Sequence, residues 1–190
     1  DSTAEGALSI TPTANATTTV NLNKGIIYGD AYGGGLGDAT NAAYVGGTVS
    51  VSQNEVAFII DYDDTDEQDP DYPNDTSKKV KVVKSGRIFG CNNLNGYPLD
   101  DVNVIVNKTV EGNVGKTAKV SGSSDPEVPQ TGANVTPSYH LAAVYGGGNL
   151  APYKAKDKKT SVLIKGCGYT SIETVYGGGN AAAVPETDVL

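Results

Sequence analysis

Val144-Tyr145-Gly146-Gly147-Gly148-Asn149 and Val175-Tyr176-Gly177-Gly178-Gly179-Asn180 are the same six residues written twice, 31 positions apart. Two looser copies stand upstream, Ala31-Tyr32-Gly33-Gly34-Gly35-Leu36 and Ile88-Phe89-Gly90-Cys91-Asn92-Asn93. Each reads apolar, aromatic, glycine-rich turn, and usually Asn. The aromatic anchors Tyr32, Phe89, Tyr145 and Tyr176 are spaced by 57, 56 and 31 residues. Self-similarity at such a period marks a repeat architecture, in which one unit stacks on the next. The shortest interval is the bare unit, and the other two exceed it by 26 and 25 residues.

A second element recurs after each anchor. Thr48-Val49-Ser50-Val51, Val102-Asn103-Val104-Ile105-Val106 and Thr160-Ser161-Val162-Leu163-Ile164 are β-branched or alternate apolar with polar. They read as strands, and Thr18-Thr19-Val20-Asn21-Leu22 takes the same place before the first anchor. A five-residue strand cannot bury its face alone, so a neighbouring unit must supply both hydrogen-bond partners and core. Stacking places each aromatic over its counterpart at the ~4.8 Å strand spacing. The expected results are a ring ladder through Tyr32, Phe89, Tyr145 and Tyr176, and an amide ladder through Asn93, Asn149 and Asn180. Leu36 stands at the matching position of the first unit and leaves the amide ladder incomplete. Two roles suit the glycines: positive φ at a tight corner, and close approach of neighbouring backbones.

Composition agrees. The 190 residues include 24 Gly and 2 Phe, with no Trp or Met, too few large apolar side chains for a compact two-layer domain. Thin coils need fewer. The expected class is all-β, a β-solenoid of the parallel β-helix type, built from imperfect repeats with long loop or hairpin excursions. Residues 1–23 form an N-terminal arm with the first strand, and 24–190 form the repeats. The excursions fall at 61–79 and 115–138, and both are rich in turn residues.

The net charge is −8, and the eight acids between Asp61 and Asp75 account for all of it. With no basic stripe, nucleic acid is excluded as a partner, as is attraction to anionic lipid. No apolar run reaches the ~20 residues of a membrane helix. Asp64, Asp66, Asp69 and Asp71 are hard oxygen donors, a candidate calcium set and the only cofactor the sequence suggests. They do not form an EF-hand, since Asp69 stands where its glycine belongs. The plain alternative is a solvated, self-repelling loop. Two cysteines, Cys91 and Cys167, make no disulfide framework; buried thiols are the favoured reading over one long-range bridge between them.

Val-Tyr-Gly-Gly-Gly-Asn, with an aliphatic residue four positions before each Tyr (Leu141, Ile172), resembles the repeat of large secreted bacterial β-solenoid proteins of adhesin or autotransporter-passenger character. The resemblance covers 24–180 in patches. It implies an extracellular or cell-surface setting and an elongated β-helix, and it carries no catalytic residues. The sequence departs from it at Phe89-Gly90-Cys91, where the triple glycine is broken, and at the two excursions.

Enzymatic motifs are absent. Glu111-Gly112-Asn113-Val114-Gly115-Lys116-Thr117 imitates a phosphate loop, but Val110 replaces its first glycine and no helix can follow. His140 is the only histidine, and no nucleophile elbow accompanies it. Tyr62, Tyr72, Tyr97 and Tyr153 sit among polar turn residues, a composition suited to sugar or protein contact or merely to exposed single aromatics. The expected function is a non-enzymatic, adhesin-type structural repeat protein, part of a larger surface protein or fibre, with protein or glycan partners. The alternative is a carbohydrate-binding or polysaccharide-processing β-helix. Having no Met and opening at Asp1, the chain reads as a processed product or a fragment. Thr187-Asp188-Val189-Leu190 falls where a new coil's strand should start, so that end is expected to be covered by further sequence or by self-association.

Overall fold

The computed structural model describes residues 17–54, 56–59, 61–63, 80–84, 86–109, 117–120, 128–129, 141–165 and 170–190. Every element there is a strand. In chain order they are β1 (Thr17–Leu22), β2 (Ile26–Tyr28), β3 (Ala31–Tyr32), β4 (Ala43–Val45), β5 (Thr48–Gln53), β6 (Ala57–Ile59), β7 (Asp61–Asp63), β8 (Val80–Lys84) and β9 (Arg87–Phe89). There follow β10 (Gly96–Pro98), β11 (Val102–Val106), β12 (Thr117–Val120), β13 (Val128–Pro129), β14 (Leu141–Tyr145), β15 (Thr160–Ile164), β16 (Ile172–Tyr176) and β17 (Thr187–Val189).

The largest sheet runs β1-β5-β11-β15-β17, and every pair in it is parallel. Its register brings equivalent residues of successive repeats side by side. Val20, Val51, Val104, Val162 and Val189 form one column. Thr18, Val49, Val102, Thr160 and Thr187 form the next. Alternate residues of β5 and β11 are buried and half-buried, as period-2 patterning requires. A one-residue slip would turn the valine column to the outside, so burial itself fixes the register.

The second sheet, β3-β9-β14-β16, is also parallel throughout. Ala31, Ile88, Val144 and Val175 lie in one column and pack into the main core with Val49, Val51, Val102, Val104 and Val162. Tyr32, Phe89, Tyr145 and Tyr176 lie in the adjoining column on the opposite face. Phe89, Tyr145 and Ala143, with Tyr32 against them, make a separate apolar cluster. Two short parallel pairs, β4-β10 and β2-β6, complete the parallel set. A last sheet, β13-β12-β8-β7, is antiparallel. In it β8, just before β9, pairs with β12, which precedes β14 in the chain. The stretches preceding two successive ring anchors are thereby joined to each other.

The glycine corners need a correction. None of Gly33–Gly35, Gly90, Gly146–Gly148 or Gly177–Gly179 has positive φ; that conformation falls to Gly25, Gly29, Gly37 and Gly96. The repeat glycines serve close approach instead. A Cβ on Gly33 would collide with Gly90 O and lie 2.6 Å from Val49 Cγ1. A Cβ on Gly90 would meet Gly146 O and lie 2.6 Å from Val102 Cγ1, and one on Gly146 would meet Gly177 O. The first glycine of the first three corners is thus wedged between the next corner's carbonyl and the inward side chains of the large sheet, and Gly177 is crowded by the side chains of Thr187 and Val189. Only hydrogen fits there.

Candidate functional site

Four rings from successive repeats form a continuous stacked column. Tyr32 and Phe89 stack with centroids 4.9 Å apart and planes 5° from parallel. Phe89 and Tyr145 are separated by 4.7 Å and 3°, and Tyr145 and Tyr176 by 5.0 Å and 12°. These are strand spacings, so the backbone sets the ring separation and the rings follow. Each inner ring uses both faces on its neighbours. Phe89 is wholly buried, while Tyr176, at the end of the column, is 46% exposed.

A charged pair braces the first two rings. Asp30 accepts from the Arg87 backbone N–H at 2.7 Å, from Nε at 3.2 Å and from Nη2 at 2.7 Å. Two parallel N–H donors on one carboxylate make this stronger than a point contact. The guanidinium carbon also lies 5.1 Å from the centroid of the Phe89 ring. The Tyr32 hydroxyl donates to Asp30 Oδ2 at 3.4 Å. Burial, aided by the Asp30 carboxylate, pushes the Tyr32 phenol up to about 12. Asp30, Arg87 and Tyr32 thus form one contact network at the edge of the ring column. The arrangement ties the first repeat to the second.

Amide columns do similar work at two corners. Asn149 Nδ2 donates to Asn93 Oδ1 and Asn180 Nδ2 to Asn149 Oδ1, both at 2.9 Å, which is the ladder the repeats imply. A second column was not foreseen. Asn54 Nδ2 donates to Asn23 Oδ1 and Asn107 Nδ2 to Asn54 Oδ1, both at 2.7 Å. Its signal lay in the alignment of strand ends, because each Asn directly follows the last residue of β1, β5 or β11. Where the triple glycine breaks, Asn92 is fully buried. It donates to Ala43 O at 2.8 Å and Asn95 O at 3.0 Å, and it accepts from the Gly35 N–H at 3.2 Å.

Other sequence candidates resolve as follows. Tyr153 belongs to the main core at 1% exposure, with its hydroxyl donating to Asp100 O at 2.9 Å, so it presents no contact surface. Tyr97 is half-buried and meets Tyr44 edge-on at 5.4 Å. Cys91 is a free, fully buried thiol whose pKa is driven far up by desolvation. Lys158 pairs with Asp100 and Lys159 with Asp188, each at 2.5 Å. Such surface pairs add little to stability, because water screens the charges and the long side chains must be ordered to meet. The calcium candidates Asp64, Asp66, Asp69 and Asp71 lie outside the described residues, as do Tyr72, His140 and Cys167. Among the described residues no group of three or more His, Cys, Asp or Glu is placed to hold a metal ion. No helix among them is long and apolar enough to cross a membrane.

Comparison with protein-family models, with curated proteins and with solved structures finds no match to this chain.

Proposed function

We propose that the chain is a β-solenoid segment with a structural, non-enzymatic role, a stacking block of an extracellular adhesin-type protein or fibre. The single observation behind this reading is the in-register parallel pairing of equivalent repeat positions, with Tyr32, Phe89, Tyr145 and Tyr176 stacked at 4.7 to 5.0 Å. Side chains that would carry chemistry elsewhere are consumed here in holding one coil to the next. Five strands deep at ~4.8 Å each, the large sheet rises only about 20 Å. A block of that height serves as a spacer only when joined to others, which fits one part of a larger surface protein. Recognition of a protein or glycan then falls to the excursions at 61–79 and 115–138, since scaffolded loops carry binding.

The test pairs a deletion with two assays. Removing residues 64–79 and joining the β7–β8 hairpin with a short turn should leave cooperative melting intact and abolish binding to the cognate surface or glycan. Incubation of the intact chain with a polysaccharide panel should give no cleavage. Cleavage that one Asp→Asn substitution abolishes would favour the polysaccharide-processing alternative and overturn the structural reading.

A further inference from the structure

Asn95-Gly96 is the only Asn-Gly pair in the chain. Gly96 has φ +80°, and its backbone N–H lies against the preceding side chain, donating to Asn95 Oδ1 at 2.8 Å. The nitrogen is therefore already beside the side-chain carbonyl, and no Cβ on residue 96 obstructs it. Asn95 Nδ2 donates to Asp38 O at 2.8 Å, which holds the side chain in this orientation. The residue is half-buried, so water and hydroxide can reach it.

We propose that Asn95 is a site of spontaneous deamidation in the folded protein. Hydroxide removes the Gly96 amide proton, and the nitrogen attacks Asn95 Cγ. The new N–Cγ bond closes a five-membered imide as the Cγ–Nδ2 bond breaks, and Nδ2 takes a proton from water and leaves as ammonia. Water then opens the imide at either carbonyl, giving aspartate or isoaspartate. One water is consumed and one ammonia released, with no oxidant or reductant.

The product weakens the stack in a defined place. A carboxylate at position 95 cannot donate to Asp38 O, so a bond spanning 57 residues is lost. Isoaspartate also lengthens the backbone by one methylene at a tightly filled junction. There a Cβ on Gly96 would collide with Ala43 O and lie 2.5 Å from Ala43 N. The β4-β10 pairing starts at that point, with Gly96 opposite Ala43. Deamidation thus acts as a slow ageing step that loosens the first coil from the second.

The experiment holds the folded chain at mildly alkaline pH and growth temperature, then locates amide-to-acid conversion by peptide mass spectrometry and isoaspartate by enzymatic methylation. Conversion at Asn95 should outrun that at Asn93, Asn149 and Asn180, whose side chains are tied into the amide ladder. The aged fraction should melt lower, and N95Q should show neither change. Conversion at Asn95 no faster than at those three residues, with rapid conversion only after denaturation, would overturn the proposal.

Discussion

Asn92 fills the volume that a side chain on Gly34 would need: a Cβ there would overlap Asn92 Oδ1 and sit 2.8 Å from Cγ. The break in the triple glycine is thus compensated one coil away. Its side chain bonds three backbone groups, the Gly35 N–H and the carbonyls of Ala43 and Asn95.

N92A should cost about 2–3 kcal/mol, because leaving buried polar groups unpaired costs about 1–3 kcal/mol. N92D should cost more near neutral pH, since a carboxylate cannot donate to Ala43 O or Asn95 O. Burial would raise that new carboxyl's pKa in the folded state. The added penalty should then grow as pH rises above about 4, the value for the unfolded chain. Urea denaturation of both variants at two pH values checks this.

The close-approach role of the corner glycines separates two substitutions that look alike in sequence. G146A places a Cβ against Gly177 O and 2.9 Å from Thr160 Oγ1, and it should cost about 3 kcal/mol through overpacking. Gly178 has nothing within 4 Å of the same position and no positive φ. G178A should therefore be neutral or stabilise by about 0.4–1 kcal/mol by restricting the unfolded chain. Thermal melts of the pair decide it.

Phe89 is buried between two rings and Tyr176 is a half-exposed end. F89A should cost about 3–5 kcal/mol. Y176A should cost about 1 kcal/mol, the worth of one stacking contact. Equal losses in chemical denaturation would mean the column does not carry the cohesion assigned to it.

Alkaline titration should single out Tyr32. Burial and the Asp30 carboxylate push its folded pKa up to about 12, above the ordinary phenol value of about 10, so the fold favours the protonated phenol. That contribution is complete below pH 10 and is lost as pH rises through about 12. Tyr153, fully buried with its hydroxyl bonded, shifts the same way through desolvation. Phenolate absorbance should show Tyr32 and Tyr153 ionising late, together with unfolding.

The repeat exposed much of this architecture before any coordinates. Tyr145 and Tyr176 stand at identical places in identical hexapeptides, and parallel stacking turns that identity into contact. Asn93, Asn149 and Asn180 followed for the same reason. The second amide column escaped because Asn23, Asn54 and Asn107 sit outside the hexapeptide, each in a different local context. Positive φ was the wrong reason for the corner glycines: sequence reveals that a side chain is missing, not whether torsion or a neighbouring carbonyl excludes it. Tyr153 escaped because its charged neighbours Lys154, Lys156, Asp157 and Lys159 are exposed while the ring, with Ala155, turns into the core.

Successive repeats stack in chain order along the ring column. Nuclear Overhauser contacts among selectively labelled aromatic rings test this order most directly. The expected pattern is Tyr32 to Phe89, Phe89 to Tyr145 and Tyr145 to Tyr176, with no contact between Tyr32 and Tyr145 or between Phe89 and Tyr176. A missing link in that chain, or a contact that skips a ring, would contradict the stacked arrangement.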